Sequence, residues 1–511
     1  MKTVAEVAII GAGMSGLATA CRLQARGIST LVLEAHGQVG GCAGFFRQQG
    51  FSFDVGATTF VDFEPSGVGG QFITQIGLPP LAGERLPGYQ AWLPDRQVTL
   101  YRNPILWQGE RLAAFGHTPN HQRFWSLIDQ LAEIFWAASR AGIKLPIQSV
   151  SDLWQAVRTI PLQGWPLARY LNWTMADALA DCCLERDQPL MGLLSMLLQD
   201  TVHASPQSAP LINSALGITI RGAGLTRPHG GAQGFWRLLT NQYRALGGHL
   251  RVGTRVERLD RTRTGFTIQT RKGTFQAQQI VSAIPIWNSA QLGLPEVTGA
   301  LQPYLQRDES ALGGALVLFL GVPENEVAGQ PFTHHQILVD YDRPLNNGNN
   351  MFISVSTSGE VECAPLGWRA VMISTHCDLE EWEGLTLKEY QCRKSYLSQQ
   401  LLDYAHRVYP NLGERAQVLE MGTPRTYATY THRHRGAVGG LRLNRHNSNQ
   451  RAVPYDIGVP GFWLVGDTTW PGLGTVACVL GSRHVAEAVI QTRPKQVPFS
   501  QQSAYPKEIK P

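Results

Sequence analysis

The stretch that most limits what this chain can fold into is its start, Val4 to Glu34. An apolar run from Val4 to Ile10 leads into Gly-Ala-Gly-Met-Ser-Gly at Gly11 to Gly16. A helical pattern follows from Leu17 to Arg26, then a second strand pattern, Ser-Thr-Leu-Val-Leu-Glu, from Ser29 to Glu34. Each glycine has a separate physical task. Gly11 permits the turn, Gly13 lets a pyrophosphate approach the backbone, and Gly16 lets the helix close on the strand so that its N-terminus faces the anion. Glu34 ends the second strand, where a carboxylate can accept a hydrogen bond from a ribose hydroxyl. The glycine pattern alone is weak; placed between strand and helix, with an acidic strand end at this interval, it points to a bound dinucleotide.

A chain of 511 residues has room for two or three compact units. Its 43% hydrophobic and 16% charged residues, with 13 tryptophans, lean towards an enzyme that exposes some apolar surface. The net charge of +5 is spread without a basic arm, which argues against nucleic acid and leaves a mild attraction to anionic lipid. The eight cysteines form neither a disulfide framework nor a Cys-x-x-Cys metal pattern, so mostly unpaired thiols in a reducing interior and no metal are expected. Glu6 interrupts any secretion-signal order, and no apolar run is long enough for a bilayer span, so membrane association is expected from one side only.

Beyond the first unit, Pro65 to Pro119 is mixed and rich in proline and glycine, and Phe124 to Leu198 carries helical patterns. One of them, Pro189 to Asp200, is apolar nearly all round: a buried helix, the wall of an apolar cavity, or a membrane contact. Gly230 and Gly231 precede a helix from about Ala232 to Leu246, then a strand through Val252 to Val256 and a hairpin-like run to Ile284. Backbone near Val256 is either an adenine-side contact or plain sheet edge. Alternating strands between Gly313 and His376 imply an antiparallel sheet covered by a helix from Tyr390 to Val408. The expected division is a cofactor-binding domain made of 1–75, 226–290 and 456–492, a mainly helical substrate or membrane-facing region at 76–225, a mixed-sheet substrate domain at 291–455, and a flexible tail at 493–511.

Two further stretches bear on the cofactor. Gly40 and Gly41 come shortly after Glu34, and backbone packed against a long-lived cofactor is the natural use of such a pair. In Phe-Ser-Phe-Asp-Val-Gly, Asp54 is read as a structural cap or a cofactor contact. Near the other end, a strand runs into Gly466 and Asp467, where the carboxylate can receive a ribityl hydroxyl. A Trp-Pro-Gly-Leu-Gly-Thr run then carries Gly474 and Thr475 into a helix. The two ends together read as one flavin site in an α/β, Rossmann-type domain. Trp463 and Trp470 bracket the Asp467 loop, as flavin contacts or as interface filling.

The glycine fingerprint, the Gly40-Gly41 segment, Phe53-Asp54-Val55-Gly56, Pro228-His229-Gly230-Gly231 and the terminal Gly466-Asp467-Thr468-Thr469-Trp470-Pro471-Gly472 resemble the phytoene-desaturase and carotenoid-isomerase family of flavoproteins, itself related to flavin amine oxidases. The resemblance runs from Val4 to about Ile490. More narrowly, Phe53 to Gly70 and Thr423 to Gly440 resemble cyanobacterial carotenoid C-3′,4′-desaturases that serve myxoxanthophyll-type synthesis.

The resemblance implies noncovalent FAD, with Gly11, Gly13 and Gly16 at the pyrophosphate, Glu34 at the adenosine ribose and Gly466 with Asp467 near the ribityl phosphate. It also implies an apolar tunnel for a carotenoid, interleaved between the parts of an amine-oxidase-like fold. Many relatives carry arginine where this chain has Cys42; Arg47 is read first as a solvated or edge-capping arginine, and a shift of that cation to Arg47 is the other reading. The implied reaction removes two hydrogens from a carbon–carbon single bond with hydride to flavin N5. No catalytic side chain is assigned. His229, and His432 and His434 interleaved with Arg433 and Arg435, are read first as loop chemistry. Alternatives are a carotenoid cis-trans isomerase, a flavin amine oxidase and a noncatalytic carotenoid-binding flavoprotein. Oxygen or a quinone is the expected electron acceptor, and the expected location is the cytoplasm or the periphery of photosynthetic or cytoplasmic membranes.

Overall fold

The computed structural model describes residues 4–160 and 162–492; the tail expected at 493–511 lies outside them. A parallel core is built from both ends of the chain. Val4–Ile10 lies between Thr30–Leu33 and Gly273–Ser282, and His249–Arg251 extends the sheet beyond Thr30–Leu33. The strand Gly273–Ser282 is long enough to serve two partners on its other edge. Its first half pairs antiparallel with Gly265–Thr270, and its last three residues pair parallel with Phe462–Leu464. Ala8, Ile9, Leu31, Val32 and Ile280 are wholly buried, as strands covered on both faces require.

Helices Met14–Gln24 and Thr475–Gln491 pack against each other beside this sheet, where the buried Arg22 donates from Nε to Ser482 at 3.0 Å. Their small residues make the approach possible. A Cβ on Gly16 would lie 2.1 Å from the carbonyl oxygen of Gly11 and 2.9 Å from the Ala283 side chain. Gly16 therefore acts by closing helix on strand.

A second seven-stranded sheet contains Gly314–Pro323, Trp368–Cys377, Asn350–Val355 and His334–Leu338, paired antiparallel. The helix Leu387–Ala405 covers it, burying Leu397, Leu401 and Ala405 with Leu316, Leu318 and Ile373. The outer two strands, Gly88–Trp92 and Gln97–Tyr101, come from the region expected to be mainly helical, which opens with strands and turns helical only at Pro104–Phe115. Here β-branched and aromatic residues outweigh the many prolines and glycines, because an antiparallel pair at a sheet edge tolerates those breakers at its ends. The helix Gln188–Thr201 is an interior one, with Leu190, Leu193, Leu194 and Met196 wholly buried. Among the described residues no helix is long and apolar enough to cross a membrane.

Candidate functional site

One continuous cavity of about 1390 Å³ begins at the glycine loops and ends against the second sheet. It exceeds the roughly 300–1,000 Å³ of an ordinary small-molecule pocket, so it has room for a dinucleotide and a second molecule.

At the first end two helices present their N-termini to it. Gly13 is the N-cap of Met14–Gln24 and Gly474 that of Thr475–Gln491; both line the cavity, and a Cβ on either would meet nothing within 4 Å. Unpaired amides and the two helix dipoles thus converge where a pyrophosphate would sit. Glu34 lines the same end. Its Oε2 accepts from the Ala12 amide at 2.6 Å and its Oε1 from His36 at 2.7 Å, leaving lone pairs for ribose hydroxyls. Burial raises its pKa, while these amides pull the other way.

Gly40 and Gly41 form the adjoining wall. The Gly40 amide donates to Ala12 O at 3.0 Å, tying this loop to the fingerprint loop. With φ of 125°, and with a Cβ that would fall 2.5 Å from Gly44 Cα and 3.0 Å from Trp236 Nε1, the Gly40 site accepts no other residue without backbone movement. Asp54 turns away from the cavity. Its Oδ1 accepts from the Ala232 amide at 2.9 Å at the start of helix Gly231–Ala245, with Arg227 3.6 Å from Oδ2, so its role is the structural cap.

Of the expected cofactor residues, Gly11, Gly13, Glu34, Gly40, Gly41, Val256, Gly466, Asp467, Gly474 and Thr475 all line this one cavity, and Gly16 does not. Val256 sits at a register shift between paired strands, which turns backbone towards the space beside Glu34. Trp463 and Trp470 do not line the cavity. Trp463 donates to Gln279 at 2.7 Å, and Trp470 packs against His484. His229 is exposed near Glu360.

The cation beside Cys42 is neither at position 42 nor at Arg47. Arg433 reaches in from a loop, with Nη2 3.1 and 3.0 Å from the two Asp467 oxygens and Nε donating to Ala437 O at 2.5 Å. It also lies against Cys42, whose thiol pKa burial pushes up and Arg433 pulls down. Burial disfavours the guanidinium charge, yet Asp467 and Cys42 hold its pKa above the ordinary value. The run around it divides between inside and outside: His432 and Arg433 line the cavity. Arg435 pairs with Glu380 and Glu383 outside, and His434 stacks on Trp287 with ring centres 5.9 Å apart. Two left-handed residues, His432 and Arg435, turn the chain between those two sides.

The far lobe is apolar with polar inserts. Val317, Phe319 and Met372 face it from the second sheet, and Ile220, Leu225 and Phe352 close it. Into this surface project Tyr89, Asp200, His203 and His334. His334 lies 3.1 Å from Ser354 Oγ and 3.3 Å from Thr58 Oγ1, and burial holds it neutral well below its ordinary pKa. His203, in edge contact with His376 at 4.6 Å, is pushed down to about 4 by burial and by Arg442. Among the described residues no three His, Cys, Asp or Glu side chains could hold a metal.

The cradle fits a dinucleotide with a bulky second group, and comparisons with known proteins agree. Residues 14–490 match the family described as flavin containing amine oxidoreductase. Among curated proteins, the chain is 24% identical over 499 residues to prolycopene isomerase 1, chloroplastic, of an Oncidium hybrid cultivar, covering 95% of this chain and 83% of that one. It is 22% identical over 506 residues to a carotenoid 3,4-desaturase of Haloarcula japonica, covering 95% and 98%. Among solved structures, cyclohexylamine oxidase from Brevibacterium oxydans IH-35A superposes with a TM-score of 0.60 at 17% identity, covering 95% of this chain and 99% of that one, which shows a shared fold.

Proposed function

The chain belongs to the flavin containing amine oxidoreductase family, is an FAD-dependent oxidoreductase, and from that premise we propose that it desaturates a carotenoid, introducing the C-3′,4′ double bond of a monocyclic substrate as in myxoxanthophyll-type synthesis. The observation that carries the reading is the continuity of the cavity: the glycine cradle opens directly into a lobe lined by Val317, Phe319, Met372 and Phe352. Such a lobe favours a long apolar substrate over a small polar amine, because burying apolar surface returns about 25 cal/mol per Å². The similarity to a carotenoid 3,4-desaturase supports the substrate class.

In this reading Gly11, Gly13, Gly40, Gly41, Gly474 and Thr475 hold noncovalent FAD by backbone, with Gly16 closing helix on strand beneath. Glu34 takes the ribose, Val256 the adenine side, and Gly466 with Asp467 the ribityl region. The bound flavin supplies the two-electron acceptor. Segments 1–75, 226–290 and 456–492 make the cofactor domain, while 76–225 and 291–455 hold substrate. Arg433 fixes the Asp467 carboxylate, so its lone pairs are aimed before any ligand arrives. The apolar lobe excludes water from the reacting carbons.

Exposed Ile105 and Leu106 on Pro104–Phe115, Leu153 and Trp154 on Val150–Thr159, and Trp165 support loading from the surface of a lipid bilayer, with a quinone or oxygen as the electron acceptor. Sedimentation with liposomes tests this, and a Leu153→Ser, Trp154→Ser double variant is expected to stay in solution.

A second reading, cis-trans isomerisation without net oxidation, draws support from the prolycopene isomerase similarity. The deciding experiment incubates FAD-loaded protein anaerobically with defined carotenoids, with and without a quinone. A product lighter by two hydrogens and absorbing at longer wavelength supports desaturation. Unchanged mass with altered double-bond geometry overturns it.

A further inference from the structure

We propose that Asp200 is the catalytic residue that accepts the proton when a carbon–carbon single bond is dehydrogenated in this cavity, a role that rests on the desaturase reading. Its position is hard to explain structurally. Asp200 is in the last turn of the apolar helix Gln188–Thr201, where the helix dipole disfavours a negative charge. Among the described residues it has no hydrogen bond and no ion pair. A carboxyl in an apolar wall without partners costs stability unless it is used or neutral.

Its surroundings keep it available. The cation that acts on it, Arg221, is committed elsewhere, donating to Tyr89 Oη at 2.9 Å and to the Ile218 carbonyl. Of the elements packed on this helix, Leu211–Ile218 carries no titratable side chain and His334–Leu338 presents His334 to the cavity. Burial keeps His203, His334 and His376 neutral and holds the Tyr89 phenol protonated. Burial, against the pull of Arg221, pushes the Asp200 carboxyl up to about 7, so it alone of these passes between acid and base near neutrality.

The step balances in atoms and electrons. One C–H bond breaks and its proton passes to a carboxylate oxygen of Asp200. The electron pair of that bond becomes the new π bond as hydride leaves the neighbouring carbon for the oxidised flavin, which is thereby reduced by two electrons. Asp200 then returns the proton to solvent.

The test compares FAD-loaded wild type with Asp200→Asn and Asp200→Glu. Flavin reduction after anaerobic mixing with a carotenoid is expected to slow about 10²-fold or more in Asp200→Asn, to recover in part in Asp200→Glu, and to leave carotenoid binding, read from its absorbance shift, unchanged. Independently of turnover, infrared difference spectra between wild type and Asp200→Asn should show a protonated-carboxyl band that disappears near neutral pH. Undiminished flavin reduction in Asp200→Asn, or loss of carotenoid binding in its place, overturns the role for Asp200 while wild-type desaturation stands. A wild-type product of unchanged mass overturns the desaturase reading and this role with it.

Discussion

Replacing Asp200 by asparagine should stabilise the protein, and more so as pH rises. The folded carboxyl is pushed from 3.8 up to about 7 by burial, with Arg221 opposing. Below the unfolded value both states are protonated and the group costs nothing. Between about 3.8 and about 7 the unfolded chain ionises while the folded one stays protonated, so folded stability falls as pH rises through this window. The rise of about 3 pH units, at about 1.36 kcal/mol each, gives a ceiling of about 4 kcal/mol above neutrality and about 2 kcal/mol near pH 5. Cavity water that solvates the carboxylate lowers both figures together. Asparagine keeps the shape without ionising, so equilibrium urea unfolding of the two proteins should show a gap that widens from about pH 5 to about pH 8. A gap that stays flat across that range, or a variant less stable at the alkaline end, would refute the claim that Asp200 is held in an apolar, partnerless setting.

Arg433→Met should release the flavin, because it strands the Asp467 carboxylate in the wall of the site; breaking such a buried pair costs about 3–5 kcal/mol, and the flavin retained after gel filtration measures it. Gly40→Ala places a Cβ 2.5 Å from Gly44 Cα at a φ of 125°, so it should lower both flavin content and the urea midpoint, whereas Gly37→Ala, whose Cβ would meet nothing within 4 Å, should change neither. His203, lowered to about 4 by burial, acts opposite to Asp200 on pH. The unfolded chain takes a proton below about 6.5 that the folded state refuses, so stability falls as pH drops from about 6.5 to about 4, by at most about 3 kcal/mol. His203→Gln should flatten that acid limb in the same unfolding series.

The parts of the site made by backbone were open to reading from sequence. A glycine has few reasons to stand at Gly11, Gly13 or Gly40, and the strand and helix patterns around them say which way the backbone faces. The parts made by side chains were not. Periodicity marks Gln188–Thr201 as apolar and treats Asp200 as its polar end; the fold sets that end in the cavity wall together with Ile220 and Phe352. Likewise the Thr-His-Arg-His-Arg run is legible as a basic loop. Which of its arginines enters and which stays outside is decided by left-handed backbone at His432 and Arg435, and nothing local in the sequence specifies those angles. Gly88–Trp92 was obscured because its partner His334–Leu338 lies far along the chain, and Gln97–Tyr101 joins the sheet only through Gly88–Trp92.

The strand Gly273–Ser282 finishes its pairing only against Phe462–Leu464, and this orders events on the ribosome. When Ile280 and Val281 leave the synthesis site, the segment that will cover their open edge has not been made. At roughly 5–20 residues per second the wait is roughly 10–40 s, during which an apolar strand edge stays open to other chains. Asp467 and the second helix N-terminus arrive in the same late segment. A nascent chain halted before Phe462 therefore lacks both the cover of that edge and the second helix N-terminus of the cavity.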